Sequence, residues 1–471
     1  MRKAKIICTL GPSTDNEEVL RQLILNGMNC ARLNFSHGTL ADQKKRIDLV
    51  KKLRAELKSN VSILLDTKGP EIRLKDFEQG KAELVEGGIF TLSPDVGLGN
   101  QLKASISYPG LAEHISLGTN ILIDDGKVSL KVEEIRGHDI ICRILVGGVV
   151  SNHKSINIPG ISIPMPYINA VDYEDLIFGI KNEVDFVAAS FIRNEEDVMD
   201  LRRILDDNGG QNICVISKIE NEAGIQSLSK IIAVSDGIMV ARGDMGVELP
   251  FIQLPAIQKN IIHRSIRHGC HTITATQMLE SMTTNPTPTR AEVSDVANAI
   301  FDGSTAVMLS GETAVGRYPV EALVTMSKIV ENAEANVDYK EFAEDNPIVF
   351  KNDIAHTIAQ IACVAAANLN AKAIVVLTRS GKTATLIANY RPTCTIIAAV
   401  VNPVKMRHLS LTRAVHAINV PEQLSSDSLF SYAQEIAIGT GMIEKGDKIV
   451  IVAGSSTSAK APSDMLKVLT V

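Results

Sequence analysis

In Ile213-Cys-Val-Ile-Ser-Lys-Ile-Glu-Asn-Glu222 an apolar run ends in a lysine and a carboxylate two residues apart. On a strand, positions i and i+2 share one side, so Lys218 and Glu220 face a single site. A second apolar run, over 237–240, leads into Ala241-Arg-Gly-Asp-Met-Gly246 and puts Asp244 beside two glycines. One ammonium and two carboxylates at neighbouring strand ends suit a divalent metal together with a bound anion. A plain ion pair at a strand end explains Lys218 and Glu220 equally well when they are taken alone.

The elements that must hold these groups alternate. Strands are expected over 5–10, 28–33 and 61–65, with a capped helix opening at Asp15-Asn-Glu-Glu18 and a charged helix running to about residue 58. From 71 to 166 the texture changes to glycines and short alternating runs without a helical pattern, which reads as an inserted β unit. Alternation resumes at 170, with strands at 185–190, 212–219, 237–241, 271–276 and 305–309. Helices lie between them, including one over 222–233, and the last runs over 319–337.

Eight βα units close into a (β/α)8 barrel through right-handed crossovers, although an open doubly wound sheet shares the same alternation. The barrel is favoured because the polar clusters fall at strand carboxyl ends: 32–36, 66–68, Lys218 with Glu220, 242–244, Thr276 and 310–312. An acidic stretch over 338–353 reads as irregular. A helix at 354–369 and strands at 373–378, 395–400, 414–420 and 448–454 then make a separate α/β domain. The expected division is therefore 1–69 with 168–340 for the barrel, 70–167 for a small β-barrel lid and 341–471 for the C-terminal domain.

Composition narrows the function classes. The 471 residues are 45% apolar, enough for several cores, and 48 basic against 54 acidic residues leave a net charge of −6. That balance argues against a general nucleic-acid or membrane-surface binder. Seven scattered cysteines without a CxxC pair read as reduced core residues. With no apolar run of membrane-spanning length and no room for a signal peptide before the first strand, a cytoplasmic protein is expected.

Six segments carry a specific resemblance: Ala31-Arg-Leu-Asn-Phe-Ser-His-Gly38, Leu65-Asp-Thr-Lys-Gly-Pro-Glu-Ile-Arg73, Ser217-Lys-Ile-Glu-Asn221, Gly237-Ile-Met-Val-Ala-Arg-Gly-Asp-Met-Gly246, Thr272-Ile-Thr-Ala-Thr-Gln-Met-Leu-Glu-Ser281 and Pro288-Thr-Arg-Ala-Glu-Val. In order and spacing they resemble the pyruvate kinase family. The resemblance implies a barrel, an inserted lid and a C-terminal regulatory domain, and transfer of a phosphoryl group from phosphoenolpyruvate to ADP. It implies Lys218, Arg32, Arg73 and Thr276 as catalytic groups, with Gly243 and Asp244 also touching substrate. Glu220 and Asp244 would hold Mg²⁺ (or Mn²⁺), and Asn34, Ser36, Asp66 and Thr67 would hold K⁺. Asn34, His37, Arg73 and Lys154 would meet the nucleotide.

The same resemblance points to Thr378, Ser380, Gly381, Lys382 and Thr383 as a nest for the phosphate of a sugar-phosphate or nucleotide effector, and to a homotetramer. Two departures stand out: Ser155 replaces a usual glycine beside Lys154, and the loop over 454–462 lacks the pattern of fructose-bisphosphate-regulated members. Lys103 reads as a solvated lysine rather than a substitute for K⁺. The rival classes are a phosphoenolpyruvate lyase or mutase, which would need no nucleotide lid, and a non-catalytic metabolite sensor.

Overall fold

A computed structural model describes residues 2–161, 163–345, 347–348, 353–421, 429–454 and 463–471. Eight parallel strands form a closed ring: Lys5–Leu10, Cys30–Asn34, Ser62–Asp66, Phe186–Ala189, Cys214–Ile219, Gly237–Ala241, His271–Ala275 and Ala306–Leu309. The first pairs with both the second and the eighth, closing the barrel and excluding the open sheet. These strands are buried almost throughout, as expected of a parallel sheet covered by helices.

Alternation sorts their side chains. Ile7, Cys30, Leu64, Phe186, Ala188, Ile216, Met239, Ile273, Ala275, Ala306 and Met308 pack together inside the ring. Residues two positions further along the second to fifth strands therefore rise to its carboxyl-end mouth, and these are Arg32, Asp66, Ser190 and Lys218.

The inserted segment folds on its own apolar core, with a seven-stranded sheet and a two-stranded pair, Lys81–Leu84 with Gly148–Ser151. It contains a short 3₁₀ turn, Pro109–Glu113, where no helix was expected. Both crossings into it are strapped to the barrel. Gly69, with φ of +76°, donates its N–H to Asp172 Oδ1 at 3.1 Å. Arg193 donates to the carbonyls of Ile163 (3.2 Å) and Met165 (3.0 Å) while pairing with Asp197 at 2.9 Å.

The C-terminal domain carries a five-stranded sheet that is parallel except for its edge strand Met465–Thr470, which had not been anticipated. Leu411 of this domain reaches into the barrel's inner cluster, and Ser410 Oγ lies 2.6 Å from Ser62 Oγ. Three expectations need correction. The acidic stretch after 338 holds a helix, Tyr339–Asp345, whose Phe342 ring receives the Arg391 guanidinium at 4.7 Å. The helix expected over 222–233 is two, Glu222–Gln226 and Leu228–Val234. The seventh strand stops at Ala275, leaving Thr276 outside it. Of the divergent loop over 454–462, residues 455–462 lie outside the described residues.

Candidate active site

At the mouth the charged groups form one connected network. Arg32 Nε donates to Asp66 Oδ2 at 2.6 Å and its Nη1 to Thr9 Oγ1 at 2.9 Å. Lys218 Nζ donates to Asp66 Oδ1 (3.0 Å) and Ser190 Oγ (2.8 Å), and lies 2.9 Å from Glu220 Oε1. Burial alone would neutralise Lys218, but Asp66, Glu220 and Asp244 outweigh it and hold the ammonium well above its ordinary range. Burial likewise opposes the Asp66 carboxylate, and Arg32 with Lys218 keeps it below its usual value.

Glu220 is the group left short. It is fully buried, its Oε2 accepts the Phe191 N–H at 2.6 Å, and its Oε1 has the Lys218 ammonium at 2.9 Å and no further partner. Burial, with a further push from Asp244, raises its carboxyl to about 8. A buried carboxylate oxygen met by one ammonium alone, with a second carboxylate close enough to raise its pKa, fits a hard divalent cation. Among the described residues no group of three or more His, Cys, Asp or Glu stands ready to hold a metal, so the remaining oxygens would have to come from water or substrate.

Thr276 departs most from expectation. As a β-branched residue closing a strand it should be extended, yet its φ is +69°, and Gln277 follows at +54°. Such a conformation costs of order 1–3 kcal/mol and persists only where surrounding structure enforces it. Its Oγ1 accepts the Gly243 N–H at 2.8 Å, so this N–H, expected to meet substrate, is engaged by the threonine. Asp244 follows on the short helix Arg242–Glu248, and its charge is felt at Lys218, Glu220 and Glu71.

A second group flanks the first. His37 is exposed, and partial desolvation, then the charges of Arg73, Arg32 and Lys154, holds its imidazole below the ordinary value. Arg73 is paired with Glu71, and its Nη1 donates to the His153 carbonyl at 2.7 Å. Lys154 Nζ is tied to Asp124 Oδ1 at 2.7 Å. Asn34 and Asp66 are register partners, and Asn34 Oδ1 accepts the Ser36 N–H at 3.0 Å. Thr67 Oγ1 accepts the Ser190 N–H at 3.2 Å.

The nest group sits apart, in the C-terminal domain. Gly381, with φ of +81°, donates its N–H to Thr378 Oγ1 at 3.1 Å, Lys382 N–H points at Ser380 Oγ at 3.4 Å, and Thr383 Oγ1 lies 2.6 Å from Ser463 Oγ. Lys103 is exposed at the start of its strand. Three neighbours were given no role in the sequence reading, Ser190, Glu71 and Asp295, and Arg242 was marked there only as a member of the 242–244 cluster. Ser190 alone left a signal there, since it extends the inward alternation of Phe186 and Ala188.

A closed (β/α)8 ring with a buried lysine between carboxylates at its mouth, and basic groups around it, defines a barrel enzyme acting on a small anionic substrate. The family models described as "Pyruvate kinase, barrel domain" and "Pyruvate kinase, alpha/beta domain" match residues 1–323 and 356–469. The chain belongs to the pyruvate kinase family, and is accordingly a glycolytic phosphotransferase. It is 48% identical to a pyruvate kinase of Clostridium perfringens over 99% of both chains. It is also 47% identical to one of Clostridium acetobutylicum over 100% of both. The crystal structure of a pyruvate kinase from Cryptosporidium parvum superposes with a TM-score of 0.93 at 38% identity, covering 100% of this chain and 96% of that one. The family is generally Mg²⁺ and K⁺ dependent. Among the described residues no helix is long and apolar enough to cross a membrane.

Proposed function

We propose that the mouth around Lys218 transfers the phosphoryl group of phosphoenolpyruvate to ADP, giving pyruvate and ATP. The observation that carries this reading is the buried Lys218 ammonium, held charged between Asp66 and Glu220 at the barrel mouth. Phosphoryl transfer between two anions needs fixed positive charge around phosphorus and little covalent help from protein. Lys218 meets the transferring group and stabilises the enolate left behind. Arg32 and Arg73 bind phosphate oxygens, and the backbone around Gly243 orients the substrate carboxylate.

Glu220 and Asp244 would hold Mg²⁺ (or Mn²⁺), whose contribution when bound is Lewis-acid neutralisation of substrate oxygens. Asn34, Ser36, Asp66 and Thr67 would supply the oxygen donors for K⁺. Thr276 delivers the proton to the enolate methylene, directly or through water. Asn34, His37, Arg73 and Lys154 receive the nucleotide as the 70–167 lid closes on the barrel (1–69 and 168–340) and keeps water from the phosphoryl group. The C-terminal domain (341–471) takes an effector phosphate at Thr378, Ser380, Gly381, Lys382 and Thr383, and the working form is a cytoplasmic homotetramer.

The test is Lys218→Met, assayed with phosphoenolpyruvate, ADP, Mg²⁺ and K⁺. Loss of kcat by about 10²–10³-fold is expected from removing a preorganised charge at the transferring group. Wild-type protein that binds phosphoenolpyruvate yet forms no ATP would favour the lyase or mutase reading. Unchanged turnover in the variant would remove Lys218 from the chemistry.

A further inference from the structure

We propose that Arg242 and Asp295 are positioning residues that force Thr276 into its left-handed conformation, and so aim its hydroxyl at the reacting carbon. This rests on the reading of Thr276 as the group that delivers the proton.

Along the seventh strand Ile273 and Ala275 point into the barrel, while Thr274 points away and bonds to Ser304 at 2.6 Å. Continued alternation would send Thr276 outward with Thr274, away from the mouth. The positive φ at Thr276 and Gln277 reverses this and brings Oγ1 onto the Gly243 N–H, while the hydroxyl itself donates to the Ala275 carbonyl at 2.6 Å, a proton that must turn to the enolate when substrate is bound.

One guanidinium holds that reversal. Arg242 Nη2 donates to the Thr276 carbonyl at 2.6 Å and Nε to the Ala275 carbonyl at 3.3 Å, fixing two successive peptide planes. Nη2 also lies 3.0 Å from Met278 Sδ. Arg242 Nη1 is in turn paired with both oxygens of Asp295, at 2.7 and 2.6 Å, on the helix Arg290–Asp302. A planar fork spreads its donors over Nε, Nη1 and Nη2 to bridge carbonyls and a carboxylate, a spacing that the single ammonium of lysine does not reproduce. The bond at stake in the reaction is the new C3–H bond. The π pair of the enolate takes a proton from the hydroxyl or its water, and solvent restores it.

The experiment uses Arg242→Lys and Asp295→Asn in the full chain, with Asp295→Glu as the conservative rescue. Deuterium uptake into the pyruvate methyl group in D₂O reports the proton step apart from phosphoryl transfer. Both variants should lose at least about tenfold in methyl exchange and in kcat, with the KM for phosphoenolpyruvate within about twofold, and adding Thr276→Ala should lower exchange no further. Asp295→Glu should recover most of the rate. Full methyl exchange in folded Arg242→Lys, or losses that add to those of Thr276→Ala, would overturn the proposal. If Thr276→Ala itself exchanges normally, the reading of Thr276 fails, and the clamp is judged by the Arg242→Lys crystal structure. A Thr276 φ that turns negative supports the clamp, and one that stays near its present value refutes it.

Discussion

Thr276 holds an unfavourable backbone conformation for the sake of where its hydroxyl points, and the two effects can be separated. Asparagine tolerates the left-handed region far better than a β-branched side chain. Thr276→Asn should therefore unfold later than the parent, by about 1 kcal/mol in a denaturant titration. Its turnover should fall by about tenfold or more, since removing a proton-delivering group typically lowers the rate by about 10²–10⁴-fold. Stability unchanged or lowered would mean that the positive φ stores no strain. The buried lysine presents the opposite balance: Lys218 neutralises two carboxylates that are themselves almost wholly buried, so it serves stability and chemistry together.

At the level of strands and helices, the sequence pattern reveals the ring and its mouth because both follow from local periodicity. A hydrophobic run four to six residues long, punctuated at its carboxyl end by a polar residue, marks each barrel strand. Inward alternation then picks out Arg32, Asp66 and Lys218. What stayed hidden depends on distant partners. Thr272-Ile-Thr-Ala-Thr276 has strand-like composition, and the Arg242 guanidinium on the Thr276 carbonyl, reaching across from the neighbouring strand end, is a partner that local pattern does not reveal. The helix Tyr339–Asp345 lacks an apolar stripe and is held by ring contacts with Arg391 and Arg413, each 4.7 Å from a ring centroid. The split at Ser227 likewise has no breaker residue to announce it.

The straps across the lid are elements of the same kind, and they suggest a direct trial. Arg193 ties the returning crossing to the barrel through the Ile163 and Met165 carbonyls. Arg193→Ala should speed amide exchange over residues 157–169 and raise the KM for ADP by about three- to tenfold, because closure must then order a looser hinge. The KM for phosphoenolpyruvate should move little, since its proposed contacts lie mostly in the barrel. Equal changes in both constants, or unaltered exchange, would show that the strap does not govern lid closure.

Across the whole molecule, the C-terminal domain seals the floor of the barrel opposite the reactive mouth. Leu411 fills the inner cluster, Arg407 pairs with Asp185 at 2.6 Å, and Lys5 donates from the first barrel strand to the Val415 carbonyl at 2.8 Å. That carbonyl is the hydrogen-bond acceptor the buried ammonium meets. Burial, then Arg2 and Arg413, lowers its ammonium to about 7, with Glu334 opposing. His416, facing it, is itself lowered by burial and by Lys5, so it titrates below that point. The unfolded chain keeps the Lys5 proton until about 10.4. Below pH 7 the charged form is carried in both states and its burial penalty is felt in full. Above pH 7 the folded protein releases a proton that the unfolded chain retains, so stability rises with pH by up to about 1.4 kcal/mol per unit. Lys5→Met has no proton to release and lacks that increment. The difference in denaturant midpoint between the two proteins should shift steadily in favour of the parent from pH 7 to 9, whatever other groups titrate in common. Parallel curves would place the Lys5 ammonium at its ordinary value, and the junction between the two domains would then be insensitive to pH through this residue.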